Sequence, residues 1–231
     1  MVEAGGPRHG ASAAVEIRRA GPGDGDALGE IHAAAWQAAY APFFEPGFAA
    51  RAVADRRTRW HRRVVGEAGE AGGVASGVGA GVGAGAGVGA AAGSGAGSEA
   101  GARSGAAVTL LAVVDGRPLA LSVTLPSATR PDHAEIASFY AHPDGWGTGV
   151  AAALMDETLR GLRAKGYAGV HLWTLRDTPQ SRRFYAKCGF AQCGTARAFD
   201  FGEGNRLEQV EYARPLVSGA EGAGGSAGSA G

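Results

Sequence analysis

The chain has 231 residues, 41 of them glycine, and its 22 Lys and Arg residues balance 22 Asp and Glu residues. A formal net charge of zero gives no electrostatic basis for binding nucleic acid or another polyanion. The two cysteines are too few for a disulfide framework, and no apolar run is long enough to span a bilayer. We therefore predict a cytoplasmic protein with no nucleic-acid partner, no membrane partner and no metal ion.

Three stretches differ in composition from the rest of the chain. Residues 1–14 are small and polar, residues 66–107 are almost entirely Gly, Ala, Ser and Val, and residues 218–231 repeat that bias. Such segments bury too little apolar area to offset the entropy of ordering them. We predict two disordered tails and a disordered low-complexity insertion within one domain over residues 15–217. A rival interpretation makes the Gly/Ala repeat itself an interaction element, but glycine weakens strands.

Ahead of the insertion, the pattern predicts one strand and two helices. Residues 14–18 alternate apolar and polar side chains, as a strand does. A helix is predicted to begin near Pro22 and to run through Trp36, which we expect in the core. A second helix is predicted over about residues 48–64. Its arginines are expected on a solvated face; they are Arg56, Arg57, Arg59, Arg62 and Arg63.

After the insertion the pattern is mainly that of strands. Strands are predicted over residues 108–114, 118–124, 135–141, 169–174, 191–199 and 208–214. A helix is expected from Val150 to about Lys165, and a short one from Pro179 to Gly189. The strand, helix and strand over residues 135–174 form one right-handed parallel βαβ unit. The fold class is therefore mixed α/β.

In the turn at residues 145–149 every second residue is glycine, and a predicted helix follows directly. Free backbone N–H groups and the positive end of the helix dipole make such a turn an anion site. A nucleotide P-loop would need a following Gly-Lys-Ser/Thr, which is absent. A dinucleotide fingerprint would need glycine or alanine at position 150, where this sequence has Val150. It would also need several βαβ units, and the pattern predicts one. A plain strand–helix corner would need fewer glycines, so a pyrophosphate held by backbone remains the favoured ligand.

Two motifs resemble those of the GCN5-related N-acetyltransferases. The first is the strand Phe139-Tyr140-Ala141, then Pro143, then Trp146-Gly147-Thr148-Gly149-Val150-Ala151, where Trp146 replaces the usual Gln or Arg. The second, residues 178–190, keeps the Phe-Tyr and Gly-Phe pairs of the family's Asn-x-x-Ala-x-x-Phe-Tyr-x-x-x-Gly-Phe. Thr178 and Ser181 stand there in place of Asn and Ala. The order of elements also agrees from Val15 to about Pro215.

This resemblance implies a central, mostly antiparallel sheet with one splayed parallel pair and flanking helices. It implies acetyl-CoA as co-substrate and direct attack by a primary amine of a small molecule or a protein, in a monomer or homodimer. The cofactor-binding residues implied are Phe139, Tyr140, Ala141, Trp146, Gly147, Thr148, Gly149, Val150, Ala151 and Thr178. An alternative from another functional class is a catalytically silent acyl-CoA-binding module of the same fold.

Amine acetylation requires a base that removes a proton from the amine and an acid that protonates the leaving thiolate. The resemblance makes Tyr185 the candidate acid, against the alternative that it only packs in the core. Glu135 is the candidate base, against an exposed residue at a strand end. His171 is expected to be a core residue, and Cys188 has no evident activating partner for covalent catalysis. Walls for the acceptor are expected from the aromatic residues of positions 36–44 on one side, and from Trp173 and the closing hairpin on the other.

Overall fold

The computed structural model describes residues 14–67 and 106–216, without the side chains of residues 61–67. The two predicted tails and nearly all of the predicted insertion therefore lie outside the described residues. Residues 66 and 67 still belong to a helix, so the helix continues past the expected start of the insertion. Within the described ranges, no helix combines the length and the apolar character needed to cross a membrane.

Seven strands form one sheet, in the order β1-β2-β3-β4-β5-β7-β6. They are β1 (Val15–Arg19), β2 (Val108–Val114), β3 (Arg117–Pro126), β4 (His133–Ala141), β5 (Gly169–Leu175), β6 (Ala191–Asp200) and β7 (Arg206–Pro215). Every neighbouring pair is antiparallel except β4 and β5. The mixed α/β fold with a mostly antiparallel sheet and one parallel pair is thereby confirmed.

Four helices flank the sheet: α1 (Gly25–Ala39), α2 (Pro46–Glu67), α3 (Val150–Ala164) and α4 (Pro179–Lys187). Apolar residues of α1 and α2 pack with Leu121 and Tyr140 on one face of the sheet. Apolar residues of α3 and α4 pack with Phe139 and Leu172 on the other. The sheet is thus buried on both faces near its centre, where β4 and β5 run.

Helix α2 corrects one sequence-based expectation. Arg56 does not lie on a solvated face: it is 4% exposed and its guanidinium lies 4.3 Å from the centre of the Trp36 ring. It also donates to the carbonyl of Ala52 at 2.8 Å. The periodicity of the arginines did not show this, because stacking on an indole lets a guanidinium enter an apolar contact. Its neighbour Arg57 does pair at the surface, with Glu30 at 2.8 Å.

The parallel pair separates shortly after it begins. β4 and β5 share only three partner pairs, the last of them Glu135 with His171. A register shift in β4 follows, because Thr124 of β3 faces Ile136 whereas Val123 faces Ser138. Strands that pair at one end and diverge at the other leave a V-shaped opening with free backbone edges. This opening is the feature that positions the site described below.

Candidate active site

The turn that follows β4 presents backbone at the start of α3. Gly147 and Gly149 have φ angles of 78° and 90°, which side-chain-bearing residues adopt at a cost. A Cβ placed on either would meet nothing within 4 Å, so both face open space. The first hydrogen bond of α3 runs from Ala153 N–H to Gly149 C=O at 3.0 Å. The N–H groups of Ala151 and Ala152 precede it and have no partner within the helix, as an anion site requires, whereas Val150 N–H is directed at Thr148 Oγ1 at 3.5 Å.

Trp146 has a structural role in this turn. Its indole N–H donates to the carbonyl oxygen of Ala141 at 2.9 Å, and its ring packs on the core beneath α3. Thr148 closes the turn from the other side by donating its hydroxyl to Gly145 C=O at 2.8 Å. The residue that departs from the family motif therefore fixes the turn to the end of β4 instead of extending a polar side chain outward.

The edge of β4 that faces the opening carries unpaired backbone groups. His142 N–H donates to Leu119 C=O across β3 at 2.8 Å. Because N–H and C=O directions alternate along a strand, the groups of Phe139 and Ala141 point the other way, toward β5. Those of Tyr140 point toward its β3 partner, Leu121, and the Tyr140 ring stacks on His32 with 4.2 Å between centroids. Tyr140 thus supports the strand, while its two neighbours offer backbone groups to the opening.

Tyr185 lies on α4, fully buried among the rings of Phe190 and Tyr212 at 6.0 and 6.1 Å. Burial foremost raises the pKa of Tyr40, at the end of α1, and the Tyr140 and Tyr185 phenols add to that rise. The packing interpretation of Tyr185 is therefore confirmed, and its role as an acid stays a prediction.

Thr178 sits immediately before α4 and is 4% exposed. Its hydroxyl donates to the carbonyl of Leu175 at 2.8 Å, so it closes the chain turn that ends β5. An Asn at this position would extend further than Thr does. A direct contact between Thr178 and a cofactor stays a prediction.

Glu135 is the last residue of β4 that pairs with β5, and it lies on the face of the sheet that carries α1 and α2. It is half-buried, and its carboxylate makes neither an ion pair nor a hydrogen bond among the described residues. Burial raises the pKa of its carboxyl group, the charge of Arg197 opposes that rise, and Glu211 adds to it. Glu135 is therefore not an exposed residue at a strand end, and its role as a general base stays a prediction.

A buried polar chain lies beside Glu135. Its strand partner His171 contacts Glu211 through Nδ1 at 3.0 Å and Ser127 Oγ through Nε2 at 2.7 Å. Glu211 also pairs with Arg130 at 2.7 Å. Burial lowers the pKa of His171 to about 4, so the ring is neutral at physiological pH. The core position expected for His171 is confirmed. Its Nε2 is hydrogen-bonded to Ser127, whereas its Nδ1 lies close to Glu211 without hydrogen-bond geometry.

Arg197 of β6 is the site residue that the sequence reasoning missed. Its guanidinium lies 4.1 Å from the centre of the Trp173 ring, and its Nε donates to Gln209 at 2.8 Å. The signal was present in the closing hairpin, where Arg197 alternates with Phe199 and Phe201. Period-two spacing places Arg197 and Phe199 on one face of β6, and the registers through β7 and β5 make this the face that also carries Glu135.

Two further features bear on the chemistry. Burial raises the pKa of Cys188 to about 11, so its thiol is protonated at neutral pH and is a poor nucleophile. Among the residues that the structure describes, His, Cys, Asp and Glu side chains form no group of three that could hold a metal ion.

Comparison with protein families identifies the class. The model of the acetyltransferase (GNAT) family matches residues 96–190, which span both motifs, β2 to β5, α3 and α4. The resemblance inferred from the two motifs is thereby confirmed, because the GNAT family model covers both of them. No curated protein matches the chain.

Solved structures agree on the fold. The PaiA N-acetyltransferase of Thermoplasma acidophilum, determined in complex with coenzyme A, covers 86% of this chain and 98% of its own at 16% identity, with a TM-score of 0.56. A GCN5-related N-acetyltransferase from Rhodopseudomonas palustris covers 90% and 99% at 17% identity, with a TM-score of 0.56. An N-acetyltransferase from Staphylococcus aureus covers 89% and 100% at 16% identity, with a TM-score of 0.54.

Proposed function

We propose that the protein transfers an acetyl group from acetyl-CoA to a primary amine by direct attack in a ternary complex. The observation that carries this proposal is the continuous path from the β4–β5 opening to the glycine turn at the start of α3. The path combines a free strand edge with a cluster of outward N–H groups. The first suits an amide-containing chain and the second a pyrophosphate, and coenzyme A contains both in that order.

The pyrophosphate is placed on residues 147–152. Gly147 and Gly149 leave room for a close approach, and the dipole of the 15-residue helix α3 favours the negative charge. The amides of the pantetheine arm are placed along Phe139 and Ala141 as an added strand. Trp146 already uses the carbonyl of Ala141, so that residue contributes its N–H and Phe139 contributes both of its groups. The coenzyme A present in the Thermoplasma structure supports this family-level placement.

Glu135 and Tyr185 are assigned the two proton transfers. Glu135, directly or through one water, takes the proton from the acceptor ammonium and leaves a nucleophilic amine. The amine nitrogen forms a bond to the thioester carbonyl carbon, and the carbon–sulfur bond then breaks. The leaving thiolate takes its proton from the phenol of Tyr185. The attacking nitrogen loses its second proton, through water, to the Tyr185 phenolate, and Glu135 returns its proton to solvent. Both side chains thus regain their starting states without a covalent enzyme intermediate, in accord with the protonated Cys188 thiol.

A thiol-release assay with acetyl-CoA and a panel of amines tests this function. We expect free coenzyme A to appear only when a suitable amine is present, together with one equivalent of the N-acetylated product by mass spectrometry. Thiol release that is independent of any amine would indicate thioester hydrolysis instead.

One observation favours the alternative of a silent acyl-CoA-binding module. Tyr185 is fully buried, and Thr178 turns its hydroxyl back into the chain. Tight coenzyme A binding by calorimetry, without turnover on any acceptor, would support that alternative and contradict the enzymatic proposal.

A further inference from the structure

Two opposite charges face the acceptor side of the cleft without touching each other. No carboxylate oxygen of Glu135 lies within 4.0 Å of an Arg197 nitrogen, although each residue lies in the field of the other. We propose that the acceptor is an amino acid whose carboxylate binds Arg197 while its ammonium group binds Glu135. This inference rests on the proposed acetyl transfer, and it names the substrate class.

Strand register places the two residues on one face. Glu135 faces His171 across the parallel pair, and Trp173 lies two residues further along β5, on the same side. Trp173 faces Glu211 of β7, and Gln209, two residues away, faces Arg197 of β6. Partners in register share a face, so the chain from Glu135 to Arg197 crosses four strands without changing sides.

The guanidinium of Arg197 is held by aromatic rings and by Gln209, and these contacts leave its two terminal nitrogens available to a ligand. Trp173 stacks against its plane, and Phe199 lies 5.7 Å from it. Gln209 takes its Nε–H, yet neither terminal nitrogen has an acceptor within residues 14–67 and 106–216. Two parallel N–H groups on a fixed, partly desolvated arginine match the two oxygens of a carboxylate.

The other charged groups of this face are already satisfied. Glu211 pairs with Arg130 and with His171, which is neutral. Among the described residues, neither the Glu135 carboxylate nor the Arg197 guanidinium takes part in an ion pair, and the buried Arg56 is stacked on Trp36 and bonded to a backbone carbonyl. Half-buried charges are costly when unpaired, and a molecule that carries both signs pairs them at once. A polyamine would place a second cation beside Arg197, and a simple amine would leave the guanidinium unpaired.

Sets of three related acceptors test the inference on the unaltered enzyme. Each set holds an amino acid, its primary amide and the amine that lacks the carboxyl group, and kcat/KM is measured at fixed acetyl-CoA. We expect the amino acid to exceed the other two by roughly 10- to 100-fold, the range of a charge-assisted hydrogen-bond pair. Equal or faster acetylation of the amine that lacks the carboxyl group would overturn the proposal.

The matched variants are Arg197→Gln and Arg160→Gln, the second on the outer side of α3 with its side chain 72% exposed. Arg197→Gln should lower kcat/KM for the amino acid, mostly through KM, by about 10- to 100-fold more than for the amine that lacks the carboxyl group. Arg160→Gln should alter neither. An equal loss on all three acceptors of a set would contradict the proposed carboxylate contact.

Binding separates this inference from the catalytic one. Calorimetry with the amino acid and non-acetylated coenzyme A requires no turnover. One outcome is that no acceptor is acetylated, while the amino acid binds to the wild type but not to Arg197→Gln. This outcome would support the carboxylate site and contradict the proposed acetyl transfer. If amines are acetylated but amino acids neither react nor bind, the amino-acid inference is wrong and the proposed function stands.

Discussion

The indole N–H of Trp146 donates to the carbonyl oxygen of Ala141 at 2.9 Å, and this bond ties the glycine turn to the strand that precedes it. The bond joins residues five positions apart. They lie at the junction where coenzyme A is proposed to pass from the edge of β4 to the N-terminus of α3. Trp146→Phe keeps the packing and removes the bond, so we expect a loss of about 1 kcal/mol in unfolding free energy. Chemical denaturation measures that loss. Calorimetry should also show weaker coenzyme A binding, whereas an unchanged Kd would make the bond irrelevant to the cradle.

Gly149 provides a test of the anion site in which charge is the main difference between two variants. Asn and Asp both tolerate positive φ better than other side chains, and the site has open space. Gly149→Asp should weaken coenzyme A binding by at least about 100-fold relative to Gly149→Asn, because a carboxylate repels pyrophosphate at short range. Calorimetry on both variants measures the ratio. Equal affinities would move the pyrophosphate away from this turn.

Tyr185→Phe separates the acid from the packing residue. The ring contacts with Phe190 and Tyr212 are kept, so coenzyme A affinity should change little. If the phenol protonates the thiolate, kcat should fall by about 10²–10⁴-fold. Pre-steady-state measurement of thiol release monitors this step directly. A normal rate in a correctly folded variant would restrict Tyr185 to the core.

Glu135→Gln should have opposite effects on stability and activity. Burial raises the pKa of this carboxyl group above its ordinary value of 4.5. The folded state therefore binds more protons than the unfolded state between the ordinary and the raised value, and stability falls as pH rises through that window. At pH 7 the neutral glutamine should raise Tm while turnover falls. In the pH profile of kcat/KM, the fall on the acidic side reflects protonation of the base, and this fall should be absent in Glu135→Gln. An unaltered fall would show that another residue is the base.

His171 should make the protein sensitive to acid. Its pKa is lowered from 6.5 to about 4, with burial as the first cause. The unfolded state then binds more protons than the folded state between these values, so stability is complete above about pH 6.5 and is lost as pH falls toward 4. Urea unfolding at successive pH values should show this slope. His171→Gln should remove most of it, whereas an equal slope in the variant would point to other titrating groups.

Short-range patterns in the sequence were enough to predict most of the fold. The alternating strands and the helix start at Val150 depend on neighbouring residues, and each appears close to where it was expected. The glycine turn could be proposed as an anion site for the same reason, since its N–H groups come from adjacent residues. Boundaries moved by a few residues, as in α2, which begins at Pro46 and ends at Glu67.

The sequence by itself determined the order of elements, the turn at α3 and the two motifs that resemble those of the GNAT family. Only the tertiary structure placed Arg56 in the Trp36 contact, set Glu135 and Arg197 on one face, and made Trp146 a support for Ala141. These relationships join residues whose proximity depends on strand register and helix packing, which local periodicity does not encode. The two charges on which the proposed acceptor depends therefore became apparent only from the arrangement of β4, β5, β7 and β6 in the sheet.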